Sequence, residues 1–339
     1  MCRSSTDPGG PRRCATDARS GYLRTAGAVN QLEDTQAALE ARILYGHAAT
    51  EFTMHLPAGA QAALHTARRV GTPLIVGGAV RDAALGVAPK DIDIEVHGGA
   101  SIDALVRCYR LDGFQVDEVG RQFGVLKVSK RGVVEDLDVS VPRRDSKIGA
   151  GHRGFAVDLD TDMTPAAAAA RRDFTVNALL YDPRLRVLID PFGGLGDLQS
   201  RTLRHVSDQF VEDPLRVLRG AQMAGRFGLT LHPDTAALCR RLRPHFNELA
   251  VERTRDEWAK LYTKSDRPDL AIRALQDTGW DDTLPGLPAA LADPGTARAF
   301  SALATIPVGD RTVIGAAIIT TTMSADDRRH FLNHTVTGT

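Results

Sequence analysis

The sequence predicts an α+β protein, with a mixed sheet flanked by helices in a head and an all-α neck and body after it. Three observations predict this. Short runs between about residues 73 and 141 alternate polar and apolar side chains with a period of two. Helical patterns separate those runs. From about Leu203 onward no convincing strand alternation remains, and the chain reads as helix throughout.

The gross numbers narrow the class. With 339 residues the chain is long enough for two or three domains and a substantial core. Apolar residues make up 43% and charged residues 25%, ordinary values for a soluble globular protein. The 42 basic and 42 acidic residues cancel, so a polyanionic partner would have to be met by a local basic stripe rather than by total charge. Cys2, Cys14, Cys108 and Cys239 are spaced neither as a zinc site nor as a disulfide framework. No apolar run is long enough to span a bilayer, and Met1-Cys2-Arg3-Ser4 lacks the hydrophobic core of a signal peptide. The expectation is a cytoplasmic protein without membrane contact.

In chain order, residues 1–29 are rich in Gly, Pro, Ser, Thr and Arg and read as a disordered leader. Asn30-Gln31-Leu32-Glu33 has the form of a capping box opening a helix towards Tyr45, in an N-terminal helical extension covering 30–55. The head is drawn over 56–202. It begins with a helix from about Ala58 to Val70. Pro73-Leu74-Ile75-Val76 then reads as a buried strand, Gly77-Gly78 as a tight turn, and Val80 to Leu85 as a short helix stopped by Gly86. Asp91 to Val96 alternates strictly, which puts Asp91, Asp93 and Glu95 on one face and Ile92, Ile94 and Val96 in the core. Ser101 to Tyr109 reads as helix, and 123–128 and 134–141 as strands. Residues 142–163, with Arg143, Arg144, Lys147, His152 and Arg153, read as a long mobile loop. Thr164-Pro165 is an N-cap followed by proline in the first turn, and alanines 166–170 carry that helix on to Asn177. A helical neck and body is drawn over 203–289 and a short helical C-terminal region over 290–339.

Two carboxylates at i and i+2 on a strand, Asp91 and Asp93, can hold a pair of divalent ions roughly 3.5 to 4 Å apart, as phosphoryl transfer requires. Magnesium suits them, since carboxylates, substrate phosphates and water complete its octahedron. An edge strand with a solvated acidic face would show the same pattern. The glycine turn before it can bring main-chain N–H groups and Arg81 to a triphosphate. In the later strand Asp136, Asp138 and Ser140 share a face, so either aspartate can supply a third carboxylate. On the helix read through Asn177, Asp173 and Asn177 lie four apart with Arg172 beside them. Asp213 before Pro214 is an ideal N-cap. It also stands three and six residues before Arg216 and Arg219, and an acceptor beside a guanidinium fork can match the edge of a base.

Taken in order, these motifs resemble the class II tRNA nucleotidyltransferase and bacterial poly(A) polymerase family. The matching runs are Gly77-Gly78-Ala79-Val80-Arg81-Asp82, Lys90-Asp91-Ile92-Asp93, Arg171-Arg172-Asp173-Phe174-Thr175-Val176-Asn177-Ala178, Asp190-Pro191-Phe192-Gly193-Gly194 and Glu212-Asp213-Pro214-Leu215-Arg216-Val217-Leu218-Arg219. The similarity runs from about residue 56 to 230, and more loosely from Glu252-Arg253 to Gly279-Trp280. It implies a polymerase-β-like nucleotidyltransferase head with Asp91 and Asp93 as ligands for two Mg²⁺ ions and Asp138 as the third catalytic carboxylate. It implies nucleotide-binding roles for Gly78 and Arg81 at the triphosphate, for Arg172, Asp173 and Asn177 at phosphate and ribose, and for Asp213, Arg216 and Arg219 at the base of CTP or ATP. The RNA 3′ end, that of tRNA above all, is the implied acceptor. Many members carry another arginine where this chain has Gln222. No His-Asp metal motif occurs, so an appended phosphohydrolase domain is not expected.

The function expected is an RNA 3′-terminal nucleotidyltransferase that adds C, C and A to tRNA without a nucleic-acid template. Poly(A), CC-only or A-only addition share the same motifs. A non-catalytic RNA-binding protein of the same fold is the alternative from another class, and transfer to a small molecule a third. The sequence leaves oligomeric state open.

Overall fold

A computed structural model describes residues 35–132, 137–147 and 155–336. The predicted leader and the Asn30 capping box lie outside them. Helix α1 (Gln36–Tyr45) is capped instead by Thr35, whose hydroxyl accepts from Ala38 N. Its last residue is tied to the sheet by Tyr45 Oη donating to Asp182 Oδ2 at 2.8 Å.

The head is built on one eight-stranded sheet. Its strands are β1 (Ala49–Glu51), β2 (Thr72–Val76), β3 (Asp93–His97), β4 (Gln115–Asp117), β5 (Val125–Ser129) and β6 (Leu137–Ser140), joined later in the chain by Leu180–Asp182 and Val187–Ile189. Between β6 and those two, β7 (Arg143–Lys147) and β8 (Phe155–Leu159) form a separate antiparallel ribbon, so the later pair are β9 and β10. The order across the sheet is β1-β10-β9-β2-β3-β6-β5-β4. All neighbours are antiparallel except β3 and β6, which run parallel.

Period-two alternation gives the sheet two buried faces. Ile75, Ile94, Val96, Leu126 and Val139 face one core with α2 (Ala58–Ala67) and, beyond α3 (Gly78–Ala84), α4 (Ile102–Leu111). Leu74, Val76, Leu180, Val187 and Ile189 face a smaller core with Ala41 of α1 and Ala169 of α5 (Pro165–Ala170). Asp190 caps α6 (Gly194–Gln199) by accepting from Gly194 N and Leu195 N. A Cβ at Gly194 would lie 2.2 Å from Thr175 O, so this run of the sequence motif serves packing.

Several expectations are corrected. Ala49–Glu51 pairs with β10, so the segment drawn as a helical extension supplies an edge strand of the head. Strand β3 starts at Asp93, and Asp91 sits at the bend before it. The helix from Thr164 stops at Ala170, because Phe174 turns into the core and bridges to His205. The stretch from 142 to 163 is not a structureless loop, since β7 and β8 pair within it; His152 and Arg153 lie outside the described residues.

Apart from a two-residue parallel pair, β11 (Thr202–Leu203) with β12 (Thr230–Leu231), the described chain from there on has only helices as regular elements. Helix α7 (Arg216–Phe227) is followed by α8 (Pro233–Leu242), α9 (Val251–Lys264) and α10 (Pro268–Thr278), and α7 packs on both α9 and α10. Then come α11 (Leu287–Ala292), α12 (Pro294–Ser301), α13 (Arg311–Thr320) and α14 (Ala325–Thr335). The boundary drawn at 290 falls inside α11. Helix α14 returns to the body, with Phe331 edge-on to Trp258 at 5.4 Å. One hydrophobic cluster runs from Ala60 in the head to Phe331, with Phe174 at its junction, 0% exposed and edge-on to Phe210 at 5.5 Å.

Phe174→Ala should therefore loosen the seam between head and neck and cost about 3–5 kcal/mol of stability. Urea unfolding checks this; an unchanged midpoint would show that the seam collapses around the missing ring.

Candidate active site

The site grows out of the one parallel pair in the sheet. In its register Asp93 lies directly opposite Asp138, Ile94 opposite Val139 and Glu95 opposite Ser140. Asp138 faces Asp93 in this register, and Asp136 lies outside the described residues. Across β5, Lys127 Nζ approaches Asp138 Oδ1 at 3.9 Å, an exposed pair that contributes little. Burial pushes the Asp93 pKa up; Arg172 pulls it down, while Asp138, Asp91 and Glu95 add to the rise. Asp91 is exposed just before the strand.

Among the described residues no three His, Cys, Asp or Glu side chains close into a metal cage. An open pair of facing aspartates with a third at the bend still fits Mg²⁺, which takes most of its ligands from water and substrate phosphates. It would not fit a structural zinc ion, which needs a closed tetrahedron.

Beside the carboxylates the chain leaves β2 through Gly77, whose φ is +73°. A Cβ there would lie 2.6 Å from Arg172 Nη1 and 3.9 Å from Asp93 Oδ2, so the glycine makes room for the guanidinium and strains no L side chain. Arg172 Nη2 is 3.9 Å from Glu95 Oε2, and its Nε is buried with no hydrogen-bond partner.

Arg81 is not an open phosphate ligand. It is 6% exposed, donates from Nε and Nη2 to Asp82 Oδ1 and from Nη1 to Asn177 Oδ1, and lies 4.1 Å over the Phe227 ring. Asn177 donates to Asp173 Oδ1, which also accepts from Phe174 N, and Asp173 Oδ2 pairs with Arg219 Nε at 2.7 Å. Asp173 and Asn177 thus meet as the four-residue spacing anticipated, but through a turn and not along a helix. Gly78 opens α3.

In the neck, Arg216 N donates to Asp213 O at 3.0 Å, but the two side chains are not bonded to each other; helix α7 has Leu215 and not Asp213 at its N-cap position, so the expected cap is corrected to a turn two residues earlier. Asp213 Oδ1 accepts from Leu215 N at 3.1 Å, and Oδ2 from Arg253 Nη2 at 2.7 Å. Arg216 donates to Gln209 O and Arg171 O, both at 2.8 Å. Arg253 is a site neighbour that sequence reasoning missed; its presence in the loosely similar Glu252-Arg253 run was the one signal. The Arg219 side chain remains 54% exposed. Gln222, one turn further on, is 4% exposed with Nε2 unpartnered.

A mixed sheet with facing aspartates, an arginine over a glycine turn and a helical neck define the chain as having a nucleotidyltransferase fold. The model of the poly(A) polymerase head domain matches residues 74–204, and that of the probable RNA- and SrmB-binding site of polymerase A matches 228–291. The multifunctional CCA protein of Xanthomonas campestris pv. campestris is 38% identical over 210 residues, which are 60% of this chain and 48% of that protein. That of Stenotrophomonas maltophilia is 38% identical over 208 residues, with 60% and 48% covered. The chain spans about half the length of these curated relatives. The crystal structure of the Bacillus stearothermophilus CCA-adding enzyme in complex with CTP superposes with a TM-score of 0.65 at 25% identity, covering 82% of this chain and 66% of that one. Over residues 74–204 and 228–291 the chain is therefore similar to the head and the RNA-binding region of poly(A) polymerases, and over its matched part to CCA-adding proteins.

Two outcomes follow from the geometry. Because the folded state binds the Asp93 proton more tightly than the unfolded chain does, stability falls as pH rises through the ordinary aspartate range towards the raised value. In metal-free buffer near neutral pH, Asp93→Asn should melt higher than the wild type, with the gain vanishing below that range. A thermal-melt series against pH checks the sign. Arg81→Ala should cost about 3 kcal/mol or more, since it strands Asp82 and Asn177. A loss of nucleotide binding at unchanged melting temperature would instead make Arg81 a direct ligand.

Proposed function

We propose that the chain is an RNA 3′-terminal nucleotidyltransferase that adds C, C and A to tRNA from CTP and ATP, releasing pyrophosphate. The observation that carries this reading is the placement of Asp93 opposite Asp138 with Arg172 over Gly77 beside them. It is supported by the similarity to multifunctional CCA proteins and to a CCA-adding enzyme in complex with CTP. The match of residues 228–291 to an RNA-binding region supports an RNA acceptor. Among the described residues no helix is long and apolar enough to cross a membrane.

In this reading Asp91 and Asp93, with Asp138 alongside, would hold two Mg²⁺ ions. When bound, these would lower the pKa of the RNA 3′-hydroxyl and offset charge on the leaving pyrophosphate. The chain's own residues supply position. Gly77 and Gly78 let the backbone approach the triphosphate, and Arg172 offers its guanidinium to the phosphate oxygens. Asp173, braced by Asn177, orients Arg219. Asp213 and Arg216 offer an acceptor and donors to the base edge, with Arg253 holding the carboxylate. Positioning rather than covalent catalysis carries such a transfer.

The test is incorporation of CTP alone, ATP alone and both into tRNA ending at successive stages of its 3′ terminus. Two C residues followed by one A are expected; runs of A would assign poly(A) synthesis instead, and no incorporation of either nucleotide would sink the reading. Asp93→Ala should reduce transfer to background in the same assay. Asp213→Ala should shift the CTP-to-ATP preference, besides the loss of about 1 kcal/mol for the removed contacts to Leu215 N and Arg253. If the melting temperature falls and the preference does not move, Asp213 only closes the turn before α7.

A further inference from the structure

Glu95 shares the face of β3 with Asp93, yet the reaction proposed above gives it no task. A second carboxylate there has a cost, because half-buried like charges repel. It is nevertheless held in place from two sides, with 13% of its side chain exposed. His97, buried and two residues on, has Nε2 2.9 Å from Glu95 Oε1 and Nδ1 3.2 Å from Met163 O. The ionised carboxylate only accepts, so the ring donates to it through Nε2–H.

The other oxygen, Oε2, is the one 3.9 Å from Arg172 Nη2. Arg172 thus stands between two carboxylates of one strand. Its Nη1 lies 2.6 Å from where a Cβ on Gly77 would stand, and that same point is 3.9 Å from Asp93 Oδ2. A guanidinium prefers a bidentate carboxylate partner, so Asp93 and Glu95 compete for it. Were Asp93 to win, the guanidinium would neutralise a carboxylate that a divalent cation needs and would itself be withdrawn from the triphosphate.

We propose that Glu95, fixed by His97, is a positioning residue for Arg172: it anchors the guanidinium above Gly77 and keeps it from closing onto Asp93. This rests on the nucleotidyltransferase reading, in which Arg172 meets the triphosphate. The experiment is calorimetric binding of CTP in Mg²⁺ buffer without RNA, for the wild type, Glu95→Gln, Arg172→Ala and the double variant, with a melting temperature for each. Glu95→Gln should weaken CTP binding about tenfold when Arg172 is present and less than about twofold when it is replaced by alanine. An equal loss in both backgrounds, or none in the first, overturns the proposal. Absence of binding by the wild type overturns the nucleotidyltransferase reading and the proposal with it. Should Glu95→Gln fail to fold, His97→Asn releases Glu95 without removing its charge and goes through the same cycle. A several-fold loss that disappears with Arg172→Ala is expected; the same factor in both backgrounds, or no loss, overturns the proposal.

Discussion

The parallel pairing of β3 with β6 places Asp93 beside Asp138, and this register is enforced from the opposite face of the sheet. There Ile94, Val139 and Leu126 are fully buried against α2 and α4. A slip of β3 by one residue would carry Ile94 out of the core and point Asp93 into it, so apolar packing guards the geometry of the carboxylates. The two half-buried acids oppose that packing by their mutual repulsion. Arg172 offsets part of it, which is why the glycine turn that admits Arg172 belongs to the same device.

The head and neck are joined by a polar chain as well as by the Phe174 seam. Asp82 holds Arg81, Arg81 holds Asn177, Asn177 holds Asp173, and Asp173 pairs with Arg219 on α7. Buried members of such a chain are costly when unpaired, so each link fixes the next. Arg219 leads out of it towards solvent, half exposed. A short helix after the glycine turn thereby sets the direction of a side chain on a helix of the neck, more than a hundred residues later in the sequence.

Local patterns in the sequence carried the parts that depend on local physics. Alternation at Asp93–Val96 identified the face, Gly77-Gly78 the turn, and Thr164-Pro165 the cap, where Thr164 Oγ1 accepts from Ala167 N. What stayed hidden depends on distant partners. The three residues Ala49–Glu51 have no apolar rhythm, and only β10 makes them a strand. Alanines 166–170 favour helix without saying where it ends; the demand of Phe174 for the core ends it. Arg81 reads as an open cation, because nothing near it in sequence announces Phe227 or Asn177. Arg253 shows its partner only once α9 is packed against α7.

Asp213 reads in the sequence as a helix cap and, by family resemblance, as a base contact; in the structure Leu215 holds the cap position, and the Asp213 carboxylate closes the turn before it. A carboxylate offers about four lone-pair positions, of which Leu215 N and Arg253 each take one. Arg216 spends two of its five N–H donors on Gln209 O and Arg171 O and keeps three. Those partners fix both side chains during folding, so an arriving nucleotide has little left to order. Selecting between two bases requires donors and acceptors whose positions do not adapt to the wrong one. The turn contact, the Arg253 pair and the carbonyl contacts are therefore what would let Asp213 and Arg216 discriminate, rather than rivals to that role.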